Sequence, residues 1–185
     1  MASAKTPQKY VAFLRGINVG GKNILPMKDL AEIFRATGCE QVRTFIQSGN
    51  VLFSAEPNAE SRLAKQITAA INARFGYNIP VVLRTLPELE AAVAANPYLP
   101  QVADIKLLYV YFLQTEPSGE AVAALDPNRS TPDTFVAHNR EVYLYLPNGM
   151  ARTKLTNAWI DAKLKTVSTA RNWQTTLKLL ELLKT

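Results

Sequence analysis

The sequence predicts an α+β protein built from two ferredoxin-like subdomains, each of βαββαβ type with an antiparallel sheet. Three observations carry this. Apolar runs of strand length and stretches of helical periodicity follow one another as strand, helix, strand, strand, helix, strand. A turn holding Ser48, Gly49 and Asn50 joins the second and third strands as a hairpin. After the proline-flanked stretch Asn96–Pro100, which reads as a linker, the same order begins again. The expected subdomains are therefore residues 1–96, with the glycine loop and the hairpin, and residues 101–185, ending in a helix that carries Arg171, Asn172 and Trp173.

Each element has its own signal. Tyr10 to Leu14 is an apolar run ending at a glycine-rich loop. Pro26 opens a helix with Met27, Leu30, Ile33 and Phe34 at helical spacing, and Gly38 stops it. Val42 to Gln47 and Val51 to Ser54 alternate as strands. Leu63, Ile67, Ala70, Ile71 and Phe75 mark a helix over Ala59 to Phe75, closed by Gly76. Ile79 to Arg84 is the next strand and Pro87 to Ala95 the next helix. Beyond the linker come a strand over Ile105 to Leu113, a short helix over Ser118 to Leu125, and strands Thr134 to Ala137 and Val142 to Leu146. A helix near Asn157 to Leu164 and a last one from about Ala170 to Leu183 complete the chain. The second half is a diverged echo of the first without a residue-level repeat.

Composition bounds the class. A chain of 185 residues that is 48% hydrophobic can bury a proper core. Its apolar runs fall far short of the roughly 20 residues that span a bilayer, so no membrane partner is expected. The start MASAKTPQK has no apolar h-region. With the single cysteine, Cys39, which forbids an internal disulfide, this points to a cytoplasmic protein. The net charge of +6 is uneven: from Met150 onward seven Lys or Arg face only Asp161 and Glu181. Such a balance favours an anionic small molecule or nucleic acid as partner, or else a solvated helix face.

The candidate site is a pair of loops, RGINVGGKN from Arg15 to Asn23 and QSGN from Gln47 to Asn50. Gly16, Gly20, Gly21 and Gly49 are half of the eight glycines, set among Arg15, Asn18, Lys22, Asn23, Ser48 and Asn50. Glycine lets backbone N–H groups approach a ligand without a Cβ in between, which suits an anion. Gly16 to Asn23 differs by one residue from a phosphate-binding P-loop. Asn23 replaces the hydroxyl that would hold magnesium, the helix starts late at Pro26, and a hairpin is foreign to that parallel fold. A generic anion loop fits better. Gly49 and Asn50 are also explained by a turn needing positive φ. In a ferredoxin-like order the loop leaving the first strand and the hairpin turn are expected at different ends of the sheet, so the two need not share a pocket.

A second basic set comprises Arg43, Lys154, Arg171 and Asn172. Arg171 and Asn172 are expected in the first turn of the last helix, with Ser168 and Thr169 as caps, where amides and the helix dipole could hold a phosphate or carboxylate. The alternative is that Trp173 is core and Arg171 caps a carbonyl or pairs with an acid. Conventional catalytic sets are missing. His138, the single histidine, falls in an expected hairpin turn, and the residues assign neither a cofactor nor a metal.

Taken together, RGINVGGKN, PMKDLAEIF (Pro26 to Phe34), TFIQSGNVLF (Thr44 to Phe53) and TARNWQTTLKL (Thr169 to Leu179) resemble the bacterial family known as domain of unknown function 1697. The resemblance runs from about Tyr10 to the end. It implies an α+β fold and a single-module protein, and no activity. Where it implies Ser-Lys-Leu, this chain has Thr153, Lys154 and Leu155, so the hydroxyl is kept. Two readings stand: a binding protein for a phosphate-bearing partner, or an enzyme acting on a small phosphorylated or carboxylated metabolite by electrostatic positioning.

Overall fold

The computed structural model describes residues 6–185. Two compact units emerge, one of residues up to Glu90 together with Leu179–Thr185, the other Ala91–Lys178.

In the first unit the order is β1 (Gln8–Leu14), α1 (Met27–Ala36), β2 (Glu40–Phe45), β3 (Asn50–Ala55), α2 (Glu60–Phe75), β4 (Val81–Thr85) and the start of α3 (Leu86–Ala94). The strands pair antiparallel in the order β2-β3-β1-β4. Alternation decides which side chains meet the helices. Tyr10, Ala12 and Leu14 of β1, Val51, Phe53 and Ala55 of β3, and Val81 and Leu83 of β4 form one core with Leu30, Phe34, Leu63, Ile67 and Ile71. Tyr10 stands opposite Phe53 in the register and stacks on it, with ring centroids 5.4 Å apart. Phe34 meets the same Phe53 edge-on at 5.2 Å. Gly76, with φ of 72°, ends α2 in the left-handed conformation expected of a C-terminal glycine.

The second unit repeats the order with β5 (Leu108–Leu113), α4 (Gly119–Ala123), β6 (Thr134–His138), β7 (Glu141–Tyr145), α5 (Asn157–Leu164) and β8 (Ser168–Asn172), followed by the start of α6 (Trp173–Lys184). Its sheet order, β6-β7-β5-β8, is the same permutation. Tyr111, Leu113, Val142 and Leu144 pack against Leu125, Leu155, Ile160 and Leu164. Register exposes an echo that residue identities conceal: Val11 pairs with Arg84 as Val110 pairs with Arg171, and Phe13 with Asn50 as Phe112 with Glu141. Both arginines are buried.

Strand β8 corrects the expected last helix. Ser168 to Asn172 form an edge strand along β5, and the helix begins only at Trp173. The polar string STARN has no apolar alternation, so its strand character comes from pairing with β5. Asn96–Pro100 belongs to the second unit. Tyr98 is buried against Tyr145, and the Asn96 side chain accepts a hydrogen bond from the Tyr98 amide at 3.0 Å. Among the described residues no helix is long and apolar enough to cross a membrane.

Candidate functional site

The two glycine-bearing loops meet. Because β3 runs antiparallel to β1, its first residue, Asn50, lies opposite Phe13 near the end of β1. The hairpin turn therefore sits beside the loop leaving β1, which corrects the expectation of opposite ends. Leu14 donates its amide to the Gly49 carbonyl at 2.8 Å. A Cβ on Gly49 would lie 2.8 Å from the Cβ of Leu14, so glycine is required there by packing as well as by its φ of +78°. The second positive φ of the turn falls on Ile46, at 50°, and not on Asn50, which is already strand. Buried Asn50 instead closes the turn from inside, its amide donating to the Ser48 hydroxyl at 3.1 Å and the Phe45 carbonyl at 3.3 Å.

The asparagines of the glycine loop build the loop. Asn18 donates to the carbonyls of Leu25 at 2.9 Å and Gln47 at 3.0 Å, and accepts from the Leu25 amide at 2.8 Å. It ties both ends of its own loop to the hairpin turn. Asn23 donates to the Gly16 carbonyl at 2.9 Å, and its carbonyl accepts from the Asn18 amide at 3.2 Å. Between them Lys22 donates its amide to Val19 at 3.1 Å, closing a turn with Gly20 and Gly21 at positive φ. Nothing lies within 4 Å of a Cβ on either glycine, so backbone conformation selects them rather than space. Both are exposed, as is Lys22. Arg15 is half-buried at the loop's base, with its amide donating to the Pro80 carbonyl at 3.1 Å. Three large apolar side chains are also exposed on these loops: Val19, Ile24 and Ile46. Val19 follows Asn18, and Ile46 precedes Gln47, so both flank the hydrogen bond joining the loops.

The other expected site residues lie apart from this centre. Arg43, on β2, donates to the Leu182 carbonyl at 2.7 Å and lines a separate cavity of about 470 Å³ with Lys9 and Arg35. Lys9 makes a similar bond to the Lys184 carbonyl at 3.2 Å, so two of that cavity's cations serve the C-terminal carbonyls of α6. In the second unit Arg171 lies on strand β8 rather than in a first helical turn. Its guanidinium donates back to the Thr169 hydroxyl at 2.9 Å and the Ala170 carbonyl at 2.7 Å. Burial lowers its pKa to about 10, which leaves it cationic at neutral pH. The cap of α6 is Asn172, whose side-chain oxygen accepts from the Thr175 amide at 2.7 Å. Ser168 does not cap: its amide and hydroxyl both donate to Asp161 of α5, at 2.8 and 2.6 Å. Lys154 lines a small polar cavity with Arg129 and Arg152. Sequence reading passed over those two arginines, although both adjoin turns rich in proline, asparagine and glycine.

Fold and loops together define a class: a protein of two βαββαβ units whose first strand leads into a pinned glycine turn. The chain belongs to the family described as protein of unknown function (DUF1697), whose model matches residues 8–143. A conserved bacterial protein from Streptococcus pneumoniae has a similar structure, with a TM-score of 0.73 at 20% identity over 96% of this chain and 99% of that one. At that identity the likeness speaks for the fold alone. None of the curated proteins matches at a significant level.

Proposed function

We propose that the joined glycine and hairpin loops bind a phosphate-bearing small molecule with an apolar portion. The carrying observation is the turn at Gly20 and Gly21: consecutive exposed glycines on a loop held by Asn18 and Asn23, followed by Lys22, with Arg15 at the loop's base. Amides fixed before the ligand arrives lower the ordering cost of binding an anion. Val19, Ile24 and Ile46 offer apolar contact for the rest of the ligand. The β-branched Ile46 is held at φ of 50°, a conformation costing about 1–3 kcal/mol, and such strain gathers at binding turns. The antiparallel pairing of every described strand, together with Asn23 at φ of 48° and a helix beginning only at Met27, argues against nucleotide hydrolysis of the P-loop kind.

Thermal denaturation with nucleotides and acyl phosphates as probes tests this. A ligand at about 100 times its Kd stabilises by about 2.7 kcal/mol, which raises Tm by about 5–10 °C for a chain of this size. The rise should vanish when Arg15→Ala and Lys22→Ala are combined. A rise that survives the double substitution, or none with any probe, refutes the proposal.

A further inference from the structure

We infer that the second unit carries its own small-anion site, between the loop over residues 126–133 and the turn over residues 148–155. A cavity of about 240 Å³ lies there, lined by Asn128, Arg129, Asn148, Arg152 and Lys154 above Ser130 and Asp133. Three cations thus face one space that holds a single carboxylate. Elsewhere on the surface arginines find acids: Arg62 pairs with Glu56, and Arg74 with Asp29 and Glu32. Among the described residues the side chains of Arg129, Arg152 and Lys154 form no hydrogen bond or salt bridge. Three like charges against one carboxylate leave a net repulsion, and an anion between them removes it.

Hydrogen bonds tie the walls together. Ser130, buried at the floor, donates to buried Asp133 at 2.6 Å and accepts from the Lys154 amide at 2.9 Å. One hydroxyl thereby stitches the two loops together. The Asp133 amide closes its own turn on the Ser130 carbonyl at 2.8 Å, and the Arg152 amide does the same on Gly149 at 3.2 Å. The Thr153 hydroxyl accepts from the Leu155 amide at 3.1 Å and lies 3.4 Å from that of Ser130. Asp133 accepts from Ser130 through one oxygen, and its single negative charge leaves the three cations in excess. Size narrows the ligand. Pockets for drug-sized molecules run from about 300 Å³ upward, so this cavity suits inorganic phosphate or a small phosphate monoester rather than a nucleotide. The site lies in a different unit from the glycine loop and does not depend on it.

The structure supplies its own reporter. The Arg129 guanidinium sits over the ring of Trp159, 5.9 Å from its centroid, so an anion drawing on Arg129 should alter Trp159 fluorescence. Titration of the full chain with inorganic phosphate should give a saturable change, absent in Trp159→Phe although calorimetry still detects binding. Each contact to a charged group that is lost should weaken binding about tenfold to a hundredfold, so Arg152→Ala and Lys154→Gln should each do so. Both residues are exposed, and circular dichroism should show the fold intact. Lys22→Ala should leave the titration unchanged. A response that survives Arg152→Ala combined with Lys154→Gln, a response lost in Lys22→Ala, or no saturable response to millimolar phosphate would each overturn the site.

Discussion

Replacing Gly49 by alanine isolates a steric requirement from a conformational one. The new Cβ would stand 2.8 Å from the Cβ of Leu14 and 3.1 Å from two side-chain carbons of Ile17. Ile17 can turn its side chain away. Leu14 cannot, because β1 is paired on both sides, and moving it also disturbs the 2.8 Å bond from its amide to the Gly49 carbonyl. Left-handed backbone costs an L-residue about 1–2 kcal/mol, and forcing a methyl into a filled core about 1–3 more. Gly20→Ala incurs the first cost without the second, since nothing lies within 4 Å of its Cβ at φ of +59°. The gain of about 0.4–1 kcal/mol from a stiffer unfolded chain is common to both and cancels in the comparison. Gly49→Ala should therefore be less stable than Gly20→Ala by about 1–3 kcal/mol. With a urea m-value of about 2 kcal/mol/M, the two midpoints should differ by about 1 M. Cys39 is buried in the same unit as the loop, whereas Trp159 and Trp173 belong to the other, so thiol labelling in urea reads the first unit selectively. Coincident midpoints for the two variants would refute the packing argument.

Two further outcomes follow from local geometry. Ile46→Gly should stabilise the protein by about 1 kcal/mol, because a β-branched residue at φ of 50° is strained and its exposed side chain contributes little packing; a lowered urea midpoint would show that the turn is not strained. Burial pushes the Cys39 thiol above its ordinary range, more strongly than the Thr37 contact and Arg62 pull it down. The native state thus holds this proton longer than the unfolded chain. The stability involved is complete below the unfolded pKa of about 8.5 and is lost as pH rises through the folded one. Native protein should therefore resist thiol reagents at pH 7 to 8, react only at more alkaline pH, and label at once in denaturant; rapid labelling of folded protein at pH 7 would contradict the burial.

Much of the fold was written into the chain because its signals are local. Periodicity in Leu30, Ile33 and Phe34 or in Leu63, Ile67 and Ile71 needs only the geometry of a helix, and the strand order of the first unit follows from elements that each announce themselves. The glycine loop was legible for the same reason: residues that take positive φ and carry cations stand consecutively. Strand β8 was not, since Ser168, Thr169 and Ala170 acquire strand geometry only by pairing with Leu113, Phe112 and Tyr111. Apparent caps at Ser168 and Thr169 pointed to a helix start, whereas Asn172 holds that role and Ser168 is bound by Asp161 across the loop from α5.

Antiparallel pairing of β1 with β3 decided that the two loops meet, and the Asn18 bonds to Leu25 and Gln47 decided that asparagine there is scaffold. Side-chain type alone does not distinguish an asparagine that meets a ligand from one that closes a loop. Likewise Arg129 and Arg152 stand 23 positions apart in the chain and become neighbours only because Ser130 and Lys154 join their loops at 2.9 Å. Helices such as α1 and α2, the glycine turn and the charge balance were legible in the chain, because they depend on contacts a few residues apart. Tertiary structure alone decided which loops share a space, because that is set by strand register and hydrogen bonds between residues far apart in the chain.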